Sequence, residues 1–310
     1  MIKFGGGEKS QHLNYDICVI GGCSIDLTYY EDGSKETFFG GKASNQAVAS
    51  ARSGAKTCII TKLGKDEYCL PIIENLKNNG VDVFATITTL AKNDVSKIYI
   101  KNGDNTIERH SEMIKKFDKK LIDKYKDVIL SSKFIVIQNK APHSFTKNLV
   151  EFCNEHGKQI VLTPSNPSQL SIKDNDNLKL INKISYICAN EKETKIVFNS
   201  ENIEEIVKTY PNKLITTLGA KGLIYNDGSK IIKLPAIKIK NVIDTTGAGD
   251  TFCGNFVANL VKGVTIHNAI AKAQYASAYK IQFKSAQAGM PTKQELEKFV
   301  RGCHENRAKI

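Results

Sequence analysis

The segment Asn241-Val-Ile-Asp244-Thr-Thr-Gly247-Ala-Gly249-Asp250-Thr-Phe-Cys-Gly254 joins an apolar, strand-like run to the start of an amphipathic helix. Glycines at a strand-to-helix junction let several backbone N–H groups point at one spot, where the positive end of the helix dipole adds to them. Such a junction suits the negative charge of a phosphoryl group in transfer. The segment therefore indicates an α/β protein with an anion site at the start of this helix.

Asp250 lies in the first turn of the predicted helix Gly249–Val261. A carboxylate in this place is positioned to accept a proton from an attacking hydroxyl group. An aspartate in the first turn is also common as a simple helix cap. The motif leaves both interpretations open, with Asp250 as the candidate base and the backbone of Gly247, Ala248 and Gly249 as the candidate anion hole.

A second glycine segment, Gly40-Gly41-Lys42-Ala43-Ser44-Asn45-Gln46, precedes a helix of small residues. Two adjacent glycines allow a ligand to approach the backbone closely, although a plain turn also uses them. Lys42 and Asn45 are one helical turn apart, so they would face the same ligand and donate hydrogen bonds to it. The segment indicates part of a binding site for a ligand with hydroxyl groups.

Short apolar runs alternate with amphipathic stretches along most of the chain. The predicted strands are Asp16–Ile20, Thr57–Thr61, Phe134–Gln138, Ile160–Thr163, Ser185–Ala189 and Leu214–Thr217. The predicted helices are Ser44–Arg52, Glu67–Asn79, Lys119–Leu130, Ser144–Glu155, Ile203–Thr209, Gly249–Val261, Ile266–Lys280 and Thr292–Val300. Strands separated by helices form βαβ units, and strands buried on both faces are typical of a mostly parallel sheet. The pattern predicts an α/β fold, in a chain long enough for one large domain or two ordinary ones.

Two segments, 27–39 and 95–109, depart from this alternation because each consists of a strand, a turn and a strand. Asp32-Gly33 and Asn102-Gly103 lie at the turns, and these pairs supply the positive φ angles of a two-residue type I′ hairpin. Two hairpins outside the βαβ body predict a small accessory sheet. It is either a reduced lid over a site or a surface addition without such a role.

The chain carries 44 Lys and Arg against 32 Asp and Glu, a formal net charge of +12, but only four of its basic residues are Arg. Nucleic-acid recognition depends on Arg and on clustered charge. The lysines are spread along the chain, so a nucleic-acid partner is disfavoured. They fit either a solvated surface or the attraction of an anionic ligand such as a nucleotide.

The apolar runs and the cysteines indicate the compartment. The longest apolar runs are far shorter than the roughly 18 residues that a membrane span needs, and residues 1–10 lack the apolar stretch of a secretory signal. The eight Cys include no CxxC pair and the six His are isolated, which favours buried thiols in a reducing compartment over disulfides or a zinc site. The sequence therefore predicts a soluble, cytoplasmic protein with no membrane partner.

Together, the two glycine segments and the βαβ body between them resemble the PfkB/ribokinase family of ATP-dependent carbohydrate and nucleoside kinases, and its ribokinase branch most of all. Gly40–Gly54 with Lys62-Leu-Gly-Lys-Asp66 resembles the first signature of that family, and Asp244–Gly254 resembles the second. The resemblance extends from Asp16 to about Pro291. It implies that residues 1–310 form a single ribokinase-like kinase domain, a three-layer α/β/α sandwich with a mostly parallel central sheet and a small β-hairpin lid.

The resemblance also implies a role for each matching residue, with Asp250 as the base and the amides of residues 247–249 as the anion hole. The acceptor would be bound by Ser24, Asp26, Gly41, Lys42, Asn45, Lys140 and Asp250. ATP would contact Asn190, Thr217, Leu218, Gly219, Ala220, Lys221, Gly222, Gly249, Asp250 and Gln274. Mg²⁺, held mostly through water and phosphates, would lie near Asn190 and Glu193, although Glu193 also suits a plain helix N-terminus. A monovalent cation, potassium, would be bound largely by backbone carbonyls of Asp244, Thr246, Lys280, Phe283, Ser285 and Gly289.

The expected reaction is ATP-dependent phosphorylation of a primary hydroxyl group of a pentose, D-ribose to ribose 5-phosphate, with potassium more activating than sodium. The alternative is a nucleoside acceptor (adenosine or pseudouridine) or a fructose-type acceptor. A catalytically silent ligand sensor is the competing class, and the intact Asp250 with its glycines argues against it.

Three departures from the ribokinase pattern bear on the acceptor and on assembly. Only 14 residues separate Asp26 from Gly41, so the lid is short and the homodimer that such lids mediate is weakened. Ser24 stands where ribokinases tend to have Asn. Lys140 aligns with a Glu that helps to hold ribose, and an ammonium group donates hydrogen bonds where a carboxylate accepts them. The last change bears on the choice of sugar and leaves phosphoryl transfer untouched.

Overall fold

The computed structural model describes residues 13–101 and 104–307. The strands in this part of the chain are β1 (Tyr15–Ile20), β2 (Ser24–Tyr29), β3 (Lys35–Gly40), β4 (Thr57–Gly64), β5 (Val81–Thr88), β6 (Asp94–Lys101), β7 (Asp104–His110), β8 (Ser132–Gln138), β9 (Gln159–Thr163), β10 (Tyr186–Asn190), β11 (Leu214–Thr217), β12 (Leu223–Asn226) and β13 (Ile231–Leu234). The α-helices are α1 (Lys42–Arg52), α2 (Cys69–Asn78), α3 (Lys119–Lys124), α4 (Lys126–Leu130), α5 (His143–Glu155), α6 (Asn175–Lys183), α7 (Glu191–Phe198), α8 (Ile203–Thr209), α9 (Ala248–Val261), α10 (Ile266–Lys280) and α11 (Lys293–Arg307).

A nine-stranded sheet lies at the centre, in the order β13-β12-β11-β10-β9-β8-β1-β4-β5. All of its pairings from β5 to β11 are parallel, and only β12 and β13 are antiparallel. Alternate residues of β1 face opposite sides: Ile17 packs in one core cluster with α1 and α9, and Cys18 packs in the other with α5. Helices therefore cover both faces, and the predicted α/β/α sandwich is confirmed.

The predicted elements agree with the structure except at a few places. Leu214–Thr217, Ile203–Thr209 and Ile266–Lys280 have the predicted bounds. The predicted helix Lys119–Leu130 is two helices, α3 and α4, which meet at Tyr125. Residues 241–244, predicted as the end of a strand, form no strand, because the N–H groups of Ile243 and Asp244 donate to the carbonyl oxygen of Ile281 at 2.8 and 3.2 Å rather than to a neighbouring strand.

The two predicted hairpins form one accessory sheet in the order β3-β2-β6-β7, because β2 pairs with β6 in parallel. The type I′ turn predicted at Asp32-Gly33 is wrong. The Tyr30 N–H donates to the carbonyl of Ser34 at 3.0 Å, and Gly33 has a φ of 79° whereas Asp32 is not among the described residues with positive φ. The loop is thus a three-residue turn with its left-handed residue last. The Asn102-Gly103 turn lies outside the described residues.

The contact between α1 and α9 positions the site. A Cβ atom added to Gly254 of α9 would lie 2.7 Å from the carbonyl oxygen of Gln46 and 2.6 Å from Cβ of Ala49, both in α1. Only glycine allows this approach, which brings the first turns of the two helices together. Within the described residues no helix combines the length and the apolar composition that crossing a bilayer requires.

Candidate active site

Asp250 lies where α1 and α9 begin, and its carboxylate is held on both oxygens. Oδ2 accepts a hydrogen bond from Asn45 Nδ2 at 2.9 Å, and Oδ1 accepts one from Gln46 Nε2 at 3.0 Å. Asp250 is only 8% exposed. These two bonds fix the plane of the carboxylate and leave its remaining lone pairs for a third donor, such as an acceptor hydroxyl.

The surroundings of Asp250 raise its pKa, chiefly because burial disfavours the charged form. The positive charge of Lys42 and the hydrogen bonds from Asn45 and Gln46 lower the pKa in part, and the negative charge of Glu193 raises it. A carboxylate with a raised pKa takes up a proton more readily than an exposed one, which is the property a general base needs.

A chain of buried side-chain amides orients the two residues that hold Asp250. Gln46 Nε2 also donates to Thr163 Oγ1 at 3.0 Å, and Gln138 donates to Gln46 Oε1. Gln287 Nε2 donates to Asn45 Oδ1 at 3.0 Å. Sequence reasoning identified Asn45 but not the three glutamines, whose only signal is the position of Gln46 directly after Asn45 in the glycine segment.

The predicted anion hole begins at Gly247, which has a φ of 77° and opens α9. A Cβ on Gly247 would lie 2.9 Å from both Cα and Cβ of Ala286, so the turn depends on glycine. The N–H of Ala248 donates to the carbonyl of Thr245 at 3.1 Å. A helix offers no internal carbonyl to its first amide groups, so the N–H groups of Gly249 and Asp250, two residues that line the cleft described next, are available to a ligand.

A cleft of about 220 Å³ lies beside Asp250. Its lining is Lys42, Thr163, Cys188, Ala189, Asn190, Glu193, Thr217, Gly247, Gly249, Asp250 and Phe252. Residues predicted separately for the acceptor, the metal, ATP and catalysis therefore converge here. They come from the carboxyl ends of neighbouring parallel strands and from the two helix starts, the edge at which α/β sheets bind ligands.

Lys42 and Glu193 face each other across this cleft, with 3.2 Å between Nζ and Oε1. Glu193 also forms a capping box with Asn190: Oε2 accepts from the Asn190 N–H at 3.0 Å, and the Glu193 N–H donates to Asn190 Oδ1 at 2.9 Å. No cluster of three or more His, Cys, Asp or Glu side chains fit to hold a metal occurs in the described part of the chain. Asn190 and Glu193 therefore fit Mg²⁺ only as neighbours of an ion held mainly by phosphates and water.

A larger cavity of about 620 Å³ adjoins the cleft, and most of its lining is apolar. Of the predicted ATP residues, it is lined by Thr217, Gly219, Ala220, Lys221, Gly222, Gly249 and Gln274. Leu218 lines a neighbouring pocket instead, and Asn190 and Asp250 line the cleft. Sequence reasoning missed the opposite wall, residues 235–239 with Phe252 and Ser277, although the apolar run after β13 was its signal.

Gly222 shows how tightly this cavity is built. It has a φ of 100°, and a Cβ there would lie 2.0 Å from the carbonyl oxygen of Leu234. Gln274 Nε2 donates to the Pro235 carbonyl at 2.9 Å, which fastens α10 to the same wall. The cavity has the size, the apolar walls and the neighbouring anion site that an adenine nucleotide needs.

The predicted acceptor residues on the accessory sheet lie close to the glycine segment. A Cβ on Gly40 would lie 2.4 Å from Asp26 Oδ2, and a Cβ on Gly41 would lie 2.8 Å from the Ser24 nitrogen. Burial raises the pKa of Asp26, whereas the Ser96 hydrogen bond and the positive charges of Lys140 and Arg109 lower it. The exposed Lys140 thus directs its charge toward the predicted acceptor carboxylate.

Asp94 is a buried carboxylate that sequence reasoning missed in this region. It is 3% exposed, it follows a loop and starts β6, and its Oδ1 accepts from the Met113 N–H at 2.8 Å. Burial raises the pKa of Asp94, and the Met113 bond and the charge of Lys140 lower it. The positive charge of Lys140 therefore favours the ionised form of two carboxylates on the acceptor side, Asp26 and Asp94.

The six residues predicted for a monovalent cation also come together. Asp244 Oδ1 accepts from the Thr246 N–H and Oδ2 from the Ser285 N–H, both at 2.8 Å. A Cβ on Gly289 would lie 2.6 Å from Cβ of Phe283 and 2.8 Å from the Lys280 carbonyl oxygen. The side chain of Lys280 lies among these groups, with Nζ 2.8 Å from the Asp244 carbonyl oxygen.

Comparison with known proteins agrees with this geometry. Residues 14–293 match the family described as pfkB family carbohydrate kinase. The chain is 36% identical to a ribokinase of Lactococcus lactis over 298 residues, which covers 91% of this chain and 95% of that protein. It is 33% identical to a ribokinase of Bacillus subtilis over 301 residues, which covers 92% of this chain and 99% of that protein.

Solved structures show the same fold. Arabidopsis thaliana ribokinase, complexed with ribose and ATP, has a TM-score of 0.81 at 22% identity and covers 93% of this chain and 99% of its own. Thermotoga maritima ribokinase has a TM-score of 0.79 at 25% identity, with the same coverage of 93% and 99%. The predicted ribokinase-like fold and the predicted kinase class are confirmed. The chain belongs to the pfkB family of carbohydrate kinases.

Proposed function

We propose that this carbohydrate kinase transfers the γ-phosphoryl group of ATP to the primary hydroxyl group of a pentose, converting D-ribose to ribose 5-phosphate. The observation that carries the proposal is the position of Asp250. Its buried carboxylate, held by Asn45 and Gln46, borders the cleft that adjoins the nucleotide cavity. The two ribokinases at 36% and 33% identity support ribose as the first acceptor to test.

The chemistry at Asp250 needs no covalent enzyme intermediate. The O–H bond of the acceptor breaks and its proton passes to Asp250, while the acceptor oxygen forms a bond to the γ-phosphorus. The bond from the γ-phosphorus to the bridging oxygen breaks, and its electron pair stays with ADP. The Gly249 and Asp250 amides and the Lys42 ammonium stabilise the charge on the transferring group.

We further propose ATP and Mg²⁺ as the cofactors. The cavity lined by residues 217–223 and 235–239 would hold the nucleotide. Mg²⁺ supplies positive charge to the phosphates when it is bound, with Asn190 and Glu193 at the edge of its shell. Potassium is not part of this proposal, because the Lys280 ammonium lies among the residues predicted to bind it.

The acceptor side favours hydroxyl groups that both donate and accept. Asp26 is an acceptor of hydrogen bonds, whereas Lys140 only donates them. Nucleosides and fructose-type sugars stay the alternative acceptors, since Lys140 alters the polarity of one wall. Four further points also stay predictions: that the accessory sheet closes as a lid, that the homodimer is weakened, that the partners are small molecules only, and that the protein is cytoplasmic.

An acceptor panel tests the proposal. The purified protein is incubated with Mg-ATP and one of five acceptors: D-ribose, 2-deoxyribose, fructose, adenosine or pseudouridine. The rate is measured as ADP release, and the phosphorylated position is identified by ³¹P NMR of the product. We expect the highest kcat/KM with D-ribose and a phosphomonoester at its primary hydroxyl group. Asp250→Asn, which removes the proposed base and keeps the side-chain volume, is the matched control. Turnover of adenosine or fructose in preference to ribose would contradict the proposed acceptor.

A further inference from the structure

Lys280 is a fully buried lysine whose ammonium group is bound by backbone carbonyls. The residue is 0% exposed and ends α10. Its Nζ donates to the carbonyl oxygen of Asp244 at 2.8 Å and lies 3.4 Å from that of Phe283. A buried ammonium group without such partners would be strongly unfavourable, so these carbonyls stabilise it together with the negative charge of the Asp244 carboxylate.

Asp244 and Phe283 belong to the six residues that the sequence predicts as a potassium site through their carbonyl groups. An ammonium group and a potassium ion carry the same single charge, and both bind carbonyl oxygens. Two of the predicted carbonyls here accept hydrogen bonds from the chain's own cation. The residues present therefore do not fit an exchangeable monovalent ion at this point.

We propose that the Lys280 ammonium takes the place of the monovalent cation, so that this kinase does not need potassium. The positive charge is then supplied by the Lys280 side chain itself, and Lys280 acts as a positioning residue. This rests on the proposed function only where activity is the readout.

The connection from Lys280 to the anion hole is short. The Asp244 carbonyl that it binds precedes the turn into Gly247, and the Asp244 carboxylate is fastened to the N–H groups of Thr246 and Ser285. Gly247 in turn packs against Ala286. A positive charge at Nζ therefore holds both loops that shape the first turn of α9, where the Gly249 and Asp250 amides lie.

Two substitutions of Lys280 separate the charge from the space that the side chain fills. Lys280→Ala removes both and leaves room beside the carbonyls for a potassium ion. Lys280→Met removes the charge and keeps most of the volume. Lys272→Ala and Lys272→Met, at an exposed position of the same helix, are the matched controls.

Initial rates are measured at equal ionic strength in potassium chloride and in tetramethylammonium chloride. We expect the initial rates of the unmodified enzyme to differ by less than about twofold between the two salts, because its cation is the ammonium group of its own Lys280 side chain. We expect Lys280→Ala to lose about tenfold or more in tetramethylammonium and to regain activity in potassium, whereas Lys280→Met stays low in both. Strong activation of the unmodified enzyme by potassium, with the same factor in Lys280→Ala, would overturn the proposal.

The melting temperature of the unliganded protein gives a readout that does not depend on turnover. We expect potassium to leave the melting temperature of the unmodified protein unchanged. We expect it to raise the melting temperature of Lys280→Ala, but not that of Lys280→Met. If no acceptor is phosphorylated, the proposed function fails while this series still decides the role of Lys280. An equal rise in the unmodified protein and in Lys280→Ala would show that potassium binds without the lysine being removed.

Discussion

Replacement of Gln46 by methionine tests the arrangement around the base most sharply. The Gln46 amide donates to Asp250 Oδ1 and to Thr163 Oγ1, both at 3.0 Å, and accepts from Gln138. Methionine keeps about the same length and removes all three bonds. Asp250 then keeps Asn45 as its remaining amide donor, at 2.9 Å.

The size of the effect follows from what that bond stabilises. A hydrogen bond to a charged group contributes about 1.5–3 kcal/mol, and about 1.4 kcal/mol corresponds to one pH unit of titration. The Gln46 bond favours the ionised form, so its loss raises the pKa of Asp250 further. A carboxylate cannot act as a base below its pKa, because it is already protonated. As the pH is lowered, the variant therefore loses activity at a higher pH than the unmodified enzyme does. We expect the acid limb of kcat/KM to move upward by about one to two pH units.

The assay is the pH profile of kcat/KM for the acceptor, with saturating Mg-ATP. Asn255→Ala is the matched control, because Asn255 is a buried amide of α9 that donates to Oγ of Ser53, the residue directly after α1, at 2.9 Å. Both variants should lose about 1–3 kcal/mol of stability through unpaired buried groups. Only Gln46→Met should shift the acid limb, and an unchanged limb in that variant would refute the reasoning.

Three further substitutions test other parts of the site. We expect Asp250→Asn to lower kcat by about 10²–10⁴ while the Kd values for acceptor and ATP stay within about tenfold, because the proton acceptor and one of the two amide bonds at this position are lost but the side-chain volume is kept; full turnover would contradict the assignment of the base. Gly222→Ala places a Cβ 2.0 Å from the Leu234 carbonyl oxygen at a φ of 100°, so calorimetry should show ATP binding weakened by about tenfold or more, and unchanged affinity would speak against this wall. Glu193→Gln removes the partner of Lys42, and we expect the KM for Mg-ATP to rise by about tenfold in magnesium titrations; an unaltered KM would exclude Glu193 from the metal's surroundings.

The parts of the site that the sequence predicted are those whose chemistry is local. Gly247, Gly249 and Asp250 are adjacent in the chain, and their conformation depends on glycine at a helix start. Lys42 and Asn45 are one turn apart on a single helix. In each case the residue types and their spacing within a few positions carry the signal.

Contacts between distant segments could not be predicted in this way. Gln46 and Asp250 are 204 residues apart, and Asn45 and Gln287 are 242 apart. A buried glutamine has no local pattern that distinguishes it from a surface one. The ammonium of Lys280 reaches the Asp244 carbonyl only because the end of α10 folds against the loop before α9, which no spacing in the sequence records.

Two wrong local predictions have simple physical causes. Residues 241–244 have strand-like apolarity, but Val242 and Ile243 are 55% and 64% exposed and the backbone bonds to Ile281. Apolar residues beside a ligand cavity imitate a buried strand. Asp32-Gly33 fits a two-residue turn in composition, but the strands pair so that three residues form the loop.

The parallel pairing between β2 and β6 makes the two hairpins a single rigid unit, called the panel below. Swinging one hairpin without the other would break the pairing that runs from Ser24 with Asp94 to Tyr29 with Tyr99. The panel is pinned next to that pairing, where the Asn93 side chain exchanges hydrogen bonds of 3.1 and 2.9 Å with the backbone of Gly64. An insertion that lengthened either hairpin would therefore enlarge one shared surface, and a mutation that loosened Asn93 would release both hairpins at once.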